Sequence, residues 1–423
     1  MATRRMTPPG TDSDDIEPTR GRTRKRRSSL LLQNDHGYCK AKVPRMEGNT
    51  GIKAAPTPQH TRIHNDFAFN TPQLSPSRSP TRSTRSRSNS PSKQQRILSN
   101  ATPKTMWSTS RADVPDGSAF ELHKTLIKAS KKAFLPSSLR ATLSAKDLAD
   151  FSDPDEPFSL TLTDKDLPDV QTILQRAENC YKDGQDEAAW CRVVDQLLEL
   201  ALKSTVEPGT PAFEVIDTRT QAPSNVYLPY SSANLRGAHA PRVPSKKSDF
   251  SLAFHRHSQR VRQLANVANV PGTNDTLPLS HSSDQFTSSV PLQCAIEVKK
   301  EDGGHLEARS QLNTWHSAAM CYSRSLVPEA EGEPPLPAEL IQIGWLVIGH
   351  KWEPCLSFVM PAGDHVTVGP IFVADMGTAN LVSVYRLLAV LRTQVDWLLG
   401  TYWPAFEKVF SAAIARLHER PEE

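Results

Sequence analysis

The chain has 423 residues, enough for two or three domains or for one domain with a long unstructured segment. Its 34 prolines and an aromatic content of 7% favour a globular part joined to a segment that builds no core. Residues 1–100 hold 19 Lys and Arg against 7 Asp and Glu, a net charge of +12, whereas the other 323 residues hold 31 against 39, a net charge of −8. The mildly acidic globular part argues against strong non-specific DNA binding, which depends on Lys and Arg neutralising phosphates.

The six cysteines form no Cys-x-x-Cys pair, and no secretory signal opens the sequence. They are typical of reduced thiols rather than of a disulfide framework or a zinc site. No apolar run reaches the roughly 20 residues that a membrane helix needs. We therefore expect an intracellular protein without a membrane span, nuclear or cytoplasmic and not secreted.

Residues 1–104 are predicted to be a disordered tail rich in Ser, Pro and Arg. The segment TPQLSPSRSPTRSTRSRSNSPSK cannot bury enough apolar surface to offset its chain entropy. Its Ser-Pro pairs at Ser75, Ser79 and Ser90 resemble proline-directed phosphorylation sites. An unmodified linker is the alternative.

A basic cluster, RTRKRR, occupies residues 22–27 of this tail. Its last four residues are candidates for a nuclear-import signal: Arg24, Lys25, Arg26 and Arg27. A weak nucleic-acid contact or plain solvated charge would give the same pattern.

Residues 105–423 are predicted to form one domain, with a helical lead-in over 105–205 and a sheet core over 212–412. In the lead-in, an apolar stripe predicts a short helix over 135–151. Two amphipathic helices follow in DKDLPDVQTILQRAENCYKDG and QDEAAWCRVVDQLLELALKS, with Gly184 in the turn between them.

In the core the hydrophobic period changes from helical to strand-like. The predicted order is three strands, a helix, three more strands and a long final helix, which indicates an α/β fold around a mixed sheet. The predicted strands are 212–220, 248–254, 292–300, 340–350, 353–360 and 365–373, and the predicted helices are 305–326 and 380–403. Residues 231–247 and 255–290 are predicted to be long loops.

Two charged side chains end the apolar strand LQCAIEVKK. Glu297 and Lys299 are two residues apart and therefore project to one face of a sheet, while Val298 points away. If this strand pairs with the one before it, Asp249 comes to lie beside Glu297. Two neighbouring carboxylates repel each other, and a divalent cation relieves that repulsion. The main-chain carbonyl of Val298 would be a further ligand, and Lys299 would hold the attacking water or stabilise phosphate charge.

The pattern of Asp249 followed by Glu297-Val298-Lys299 resembles the PD-(D/E)XK nuclease superfamily, and more narrowly the fungal PD-(D/E)XK nuclease-like domain proteins. The resemblance covers roughly residues 120–412. It is carried by the blocks LPSSLRATL, DEAAW, KKSDF, IEVKKEDGG, QLNTWHSA, VIGHKWE and YWPAF.

This resemblance implies a restriction-endonuclease-like fold and Mg²⁺- or Mn²⁺-dependent cleavage of nucleic acid, with DNA expected as the partner. It implies that Asp249 and Glu297 are metal ligands and Lys299 the catalytic lysine. Gln311 matches a glutamine that orients water or contacts the phosphate backbone of the nucleic acid. Glu187 matches an additional acid on the helix before the first strand. Helix-surface and helix-capping roles are the respective alternatives for these two residues.

The sequence departs from the family pattern at two places. Ser248 stands where the family name has proline, and 48 residues separate Asp249 from Glu297, which is long for a simple hairpin. Lys246, Lys247 and Lys300 are the candidate nucleic-acid contacts, with Arg256 and Arg260 as further members of one basic patch.

A retained fold does not establish activity. The alternative to a nuclease is therefore a catalytically inactive, nuclease-derived binding or scaffold protein. That alternative predicts Lys299 in a structural ion pair, or a site closed by the 255–290 loop. The tryptophans are expected in the core, and His255 and His257 are expected to be solvated loop residues rather than metal ligands.

Overall fold

The computed structural model describes residues 90–203, 206–207, 210–231, 241–269, 276–328 and 336–419. The basic cluster at Arg24, Lys25, Arg26 and Arg27 and the serines Ser75 and Ser79 lie outside the described residues.

A seven-stranded sheet forms the centre of the protein. Numbered along the chain, its strands are β1 (Thr105–Ser108), β2 (Phe213–Asp217), β3 (Phe250–Phe254), β4 (Leu292–Lys299), β5 (Gln342–Ile348), β6 (Lys351–Val359) and β7 (His365–Val368). The spatial order is β1-β7-β6-β5-β4-β3-β2. β4 runs parallel to β5 and β1 runs parallel to β7, whereas the other neighbours are antiparallel. The sheet is thus mixed, as predicted.

Helices cover both faces of this sheet. They are α1 (Pro91–Ser99), α2 (Ser118–Lys131), α3 (Leu167–Lys182), α4 (Glu187–Leu202), α5 (Gln259–Val267), α6 (His305–Ser325), α7 (Leu381–Trp397) and α8 (Trp403–His418). Ile296 and Val298 of β4 belong to the larger apolar cluster, which includes residues of α4 and α7. Ala295 belongs to a second cluster with Leu312 of α6. The alternation along β4 therefore assigns α4 and α7 to one face and α6 to the other. The predicted α/β class is confirmed.

Local sequence signals fix where the key helices begin. The Asp186 side chain accepts a hydrogen bond from the Ala189 amide at 3.1 Å and caps α4. Gly184, at φ +59°, allows the sharp turn that separates α3 from α4. Asn380 caps α7 and forms a reciprocal capping box with Ser383. The two predicted helices of the lead-in and the start of the long final helix are confirmed.

The lead-in differs from the prediction over 135–151. Leu135–Pro136 forms a short strand with Phe158–Ser159, and Ser137–Thr142 is a 3₁₀ helix. The apolar residues Leu135 and Leu139 are buried as a helical stripe would require. The Leu135 amide, however, donates to the Pro157 carbonyl at 2.8 Å, so a tertiary partner replaces the helical bond.

Two further segments differ from the prediction. α5 lies within 255–290, which was predicted to be loop, and its start is capped by Ser258. At the other end, α1 lies within the predicted tail of residues 1–104, and β1 begins directly after its boundary. Leu98 of α1 is buried, and β1 pairs with β7 at the edge of the sheet.

None of the helices in the described ranges is both long and apolar enough to cross a membrane.

Candidate active site

β4 carries the charged pair at its end. Glu297 is 1% exposed and Lys299 is 6% exposed, so both are inside the protein although both are ionisable. Along β4 they alternate with Ile296 and Val298, whose side chains lie on the other face of the sheet in the larger apolar cluster. The Lys299 ammonium donates to Glu297 Oε1 at 2.7 Å. The prediction that Glu297 and Lys299 project together is confirmed.

The pairing of β3 with β4 brings Asp249 to this pair. The strands are antiparallel with Phe250 opposite Ile296, so Asp249 lies beside the end of β4 despite the 48 intervening residues. The Val298 amide donates to Asp249 Oδ2 at 2.7 Å. Ser248 also serves this junction, since its hydroxyl donates to the Ile296 carbonyl at 3.0 Å. At the position where the family name has proline, the Ser248 hydroxyl therefore holds the ends of β3 and β4 together.

Lys299 is the centre of the group. Its Nζ contacts Glu297 Oε1, the Val298 carbonyl at 3.0 Å and Glu187 Oε2 at 3.1 Å. Glu187 is the first residue of α4, and the Asp186 cap directs that helix start toward the end of β4. The Glu187 side chain is 44% exposed, so it forms the solvent side of the site. The structure thus brings together Asp249, Glu297, Lys299 and Glu187.

Burial shifts the protonation equilibria of these groups. Desolvation raises the pKa of Glu297 well above its ordinary value, and the charge of Asp249 raises it further. Desolvation also raises the pKa of Asp249, against the hydrogen bond from Val298 and the charge of Lys299. For Lys299, burial acts to lower the pKa, but the surrounding carboxylates raise it above the ordinary value. Lys299 is therefore a firmly protonated cation among carboxylates that resist ionisation.

The oxygen atoms around Lys299 fit a hard divalent cation. Glu297 Oε2 is buried and has no hydrogen-bond partner among the described residues, so one acceptor stays open. Carboxylates and a main-chain carbonyl are ligands that Mg²⁺ takes together with several waters. In the described segments, no group of three His, Cys, Asp or Glu side chains is arranged so that it could hold a metal ion. In this conformation the ammonium of Lys299 lies among the oxygen atoms of Glu297, Glu187 and the Val298 carbonyl.

Gln311 lies on α6, the helix over the face toward which Glu297 projects. Its Oε1 atom is buried and accepts no hydrogen bond from any described residue. In the parts of the chain that the structure describes, Gln311 forms no hydrogen bond with the acids or with Lys299. The structure therefore places Gln311 on the expected helix and leaves its amide oxygen free.

The predicted basic patch divides into two groups. Lys246 and Lys247 precede Asp249 by three and two residues, and Lys300 follows Lys299, so the main chain of all three is close to the site. Lys300 pairs with Asp302 at 2.9 Å. Arg256 and Arg260 follow the other end of β3. The five residues of this strand, at about 3.3 Å each, separate them from Asp249. Their inclusion in one patch with Lys299 was wrong, because the antiparallel strand carries them away from the site.

Arg219 is a site neighbour that the sequence did not reveal. It follows β2 and forms a two-point ion pair with Asp217. It helps line a cavity of about 260 Å³ between α4 and β2, next to Phe250. Its charge acts to lower the pKa of Asp249. The available signal was the Asp-Thr-Arg at the end of a predicted strand, which is too common to single out.

Cys191 lies in the wall of the same cavity and is 2% exposed. Burial raises the pKa of its thiol to about 12, and the charge of Asp249 adds to this shift. A thiol in this state is a weak nucleophile.

A comparison with protein-family models supports the family resemblance found in the sequence. The model of the PD-(D/E)XK nuclease superfamily matches residues 135–403, well over half of the chain. That range contains Asp249, Glu297 and Lys299 together with six of the seven sheet strands. The comparisons with the curated proteins and with the solved structures returned no match. The chain belongs to the PD-(D/E)XK nuclease superfamily.

Proposed function

We propose that the protein is a Mg²⁺- or Mn²⁺-dependent nuclease that hydrolyses phosphodiester bonds in DNA. The observation that carries this proposal is the convergence of Asp249, Glu297 and Glu187 on a single buried lysine. Such a group is costly to fold, because it places two carboxylates, Asp249 and Glu297, in one desolvated position. A site that lowers stability in this way is expected where the chemistry requires it.

Each residue has a role in this proposal. Asp249, Glu297 and the Val298 carbonyl would hold the cation, which would supply a Lewis acid and an activated water. Lys299 would stabilise charge on the phosphate through its ammonium. Gln311, through its free amide oxygen, would orient the attacking water. Lys246, Lys247 and Lys300 would contact the phosphate backbone, and Glu187 would bound the site on the solvent side.

We also propose two finer assignments that rest on the sequence. The blocks around the site support membership among the fungal nuclease-like domain proteins. The cluster from Arg24 to Arg27 supports nuclear import of the chain and added attraction to DNA.

The ion pairs of Lys299 favour one alternative, an inactive binding or scaffold protein. In that case Lys299 serves only to neutralise Glu297, as its 2.7 Å contact would allow. The two functions differ in a measurable way, because only the nuclease requires the site to accept a cation.

The deciding experiment is a cleavage assay on plasmid and on single-stranded DNA with Mg²⁺, Mn²⁺ or EDTA. We expect metal-dependent cutting by the wild type, and a loss of about 10³-fold or more in Lys299→Ala and Asp249→Asn. Lys247→Ala, at an exposed basic residue beside the site, should lower cleavage only a few-fold and is the matched control. No cutting by the wild type, or cutting that survives both substitutions, would establish the scaffold function.

Cation binding should also appear in stability, independently of cleavage. At a Mg²⁺ concentration of 100 times its dissociation constant, binding contributes about 2.7 kcal/mol, a rise in Tm of about 5–10 °C. Asp249→Asn should remove this rise while raising the Tm of the metal-free protein, because it relieves repulsion with Glu297. Differential scanning calorimetry with and without Mg²⁺ measures both effects. An equal response in wild type and variant would place the cation elsewhere.

A further inference from the structure

An aromatic row runs from the core to the surface at the edge that carries the site. Trp190 of α4 is buried, and its ring contacts that of His350 at a centroid distance of 5.1 Å. His350 in turn contacts Tyr181 of α3 at 5.3 Å. Tyr181 is 53% exposed, while the residues that follow it, Lys182 and Asp183, are polar. An aromatic ring is thus held at the surface by a second ring behind it.

Main-chain contacts connect this row to Lys299. The Gly349 amide donates to the Lys299 carbonyl at 2.9 Å, and His350 is the next residue. The path from the Lys299 main chain to the Tyr181 ring consists of this hydrogen bond, one residue step, the His350 side chain and the contact between the two rings. The Tyr181 ring is therefore at most about 17 Å from the Lys299 main chain. On α4, Trp190 lies one turn after Glu187, which contacts Lys299 Nζ. The row and the site therefore share one rim.

The main chain around His350 has an unusual conformation. Gly349 has φ +54°, and a Cβ at Gly377 would lie 1.7 Å from the His350 carbonyl oxygen. The Thr378 amide donates to that oxygen at 3.0 Å, and the Thr378 hydroxyl contacts His350 Nδ1 at 3.1 Å. Two glycines and a threonine thus fix the ring on which Tyr181 rests.

We propose that Tyr181, backed by His350, stacks a nucleobase of a single-stranded segment of the substrate next to the scissile phosphate. This inference rests on the proposed nuclease function and names its substrate class, a strand end or an unpaired region rather than a closed duplex. Every base presents a π-face, whereas the bases of a duplex are already stacked on each other. A fixed ring loses little conformational entropy on binding, which favours this role.

The test is fluorescence anisotropy with a labelled single-stranded oligonucleotide and a labelled blunt-ended duplex in which every base is paired, using the full chain in EDTA to prevent cleavage. Tyr181→Ala should weaken single-strand binding about tenfold, the effect of losing one stacked base. Tyr181→Phe, which keeps the ring, should bind within twofold of the wild type. Phe120→Ala removes another surface-exposed aromatic ring, on α2, and should leave binding unchanged.

Other results would overturn the inference. Single-strand binding by Tyr181→Ala equal to that of the wild type would show that the ring does not contact the substrate. An equal loss for the oligonucleotide and the blunt-ended duplex would show a general effect on binding rather than stacking. In both cases metal-dependent cleavage by the wild type would leave the nuclease function standing. A wild type that neither binds nor cleaves would remove both proposals.

Discussion

Replacing Lys299 with methionine is expected to destabilise the metal-free protein by about 3–5 kcal/mol at pH 8. The methionine keeps the volume and the apolar stem but leaves Glu297, which is 1% exposed, without the ammonium at 2.7 Å. The charge of Asp249 would then act on Glu297 without compensation. Urea denaturation of wild type and variant in EDTA measures the difference.

The loss should depend on pH with a definite sign. The pKa of Glu297 is already raised in the folded state above its ordinary value of 4.5, and removal of Lys299 raises it further. The folded variant therefore binds a proton more tightly than the unfolded chain does. Its stability is complete below pH 4.5 and falls as the pH rises toward the folded pKa. The Tm of Lys299→Met should thus fall more steeply with rising pH than that of the wild type.

The double variant Lys299→Met/Glu297→Gln is the matched control. It replaces both charges with neutral groups of similar shape, so most of the stability should return and the added pH dependence should disappear. A single variant as stable as the wild type at pH 8 would contradict this account. It would mean that Glu297 is already protonated in the wild type and that Lys299 contributes nothing to its burial.

Gly377→Ala is expected to destabilise the protein by about 3 kcal/mol or more, although the change adds one methyl group. The new Cβ would meet the main-chain oxygen of His350 at 1.7 Å, and a main-chain atom cannot rotate away. Gly377 also has φ +149°, a conformation that L side chains rarely adopt. Relief requires movement of the turn that holds His350, so the variant should also lose single-strand affinity.

Gly400→Ala gives the control for this prediction. No heavy atom lies within 4 Å of a Cβ at Gly400, which is part of the π-helical segment Leu398–Tyr402 between α7 and α8. The added methyl should leave the stability unchanged or raise it by up to about 1 kcal/mol, because alanine restricts the unfolded chain. Thermal melting of both variants compares them directly. Equal Tm values would show that the turn adjusts freely and does not hold His350 in place.

The sequence was most informative where a single periodicity covers a long segment. The stripes of α3 and α4 and the apolar run of β4 predict these elements because burial on one face, or on both, dictates their residues. The i, i+2 spacing of Glu297 and Lys299 sufficed to place both on one side of the sheet. The pairing of Asp249 with the end of β4 was inferred only as a condition, since nothing local specifies which strands pair.

Local signals failed where a distant partner decides the conformation. Residues 135–151 have a helical stripe, but the Leu135 amide is bonded to Pro157 and the helix does not form. β1 has no alternating pattern of its own and is a strand because it pairs with β7, more than 250 residues away.

For this protein, the sequence by itself determined the α/β class, the main helices and strands, and the common face of Glu297 and Lys299. Only the tertiary structure decided that Lys299 lies among Glu297, Glu187 and the Val298 carbonyl, that Arg219 lies near Asp249, and that Arg256 and Arg260 lie far from it. It also placed the Tyr181 ring on His350. The physical reason is that burial and spacing are written along the chain, whereas contacts between separate elements depend on strand order and on the turns that bring their ends together.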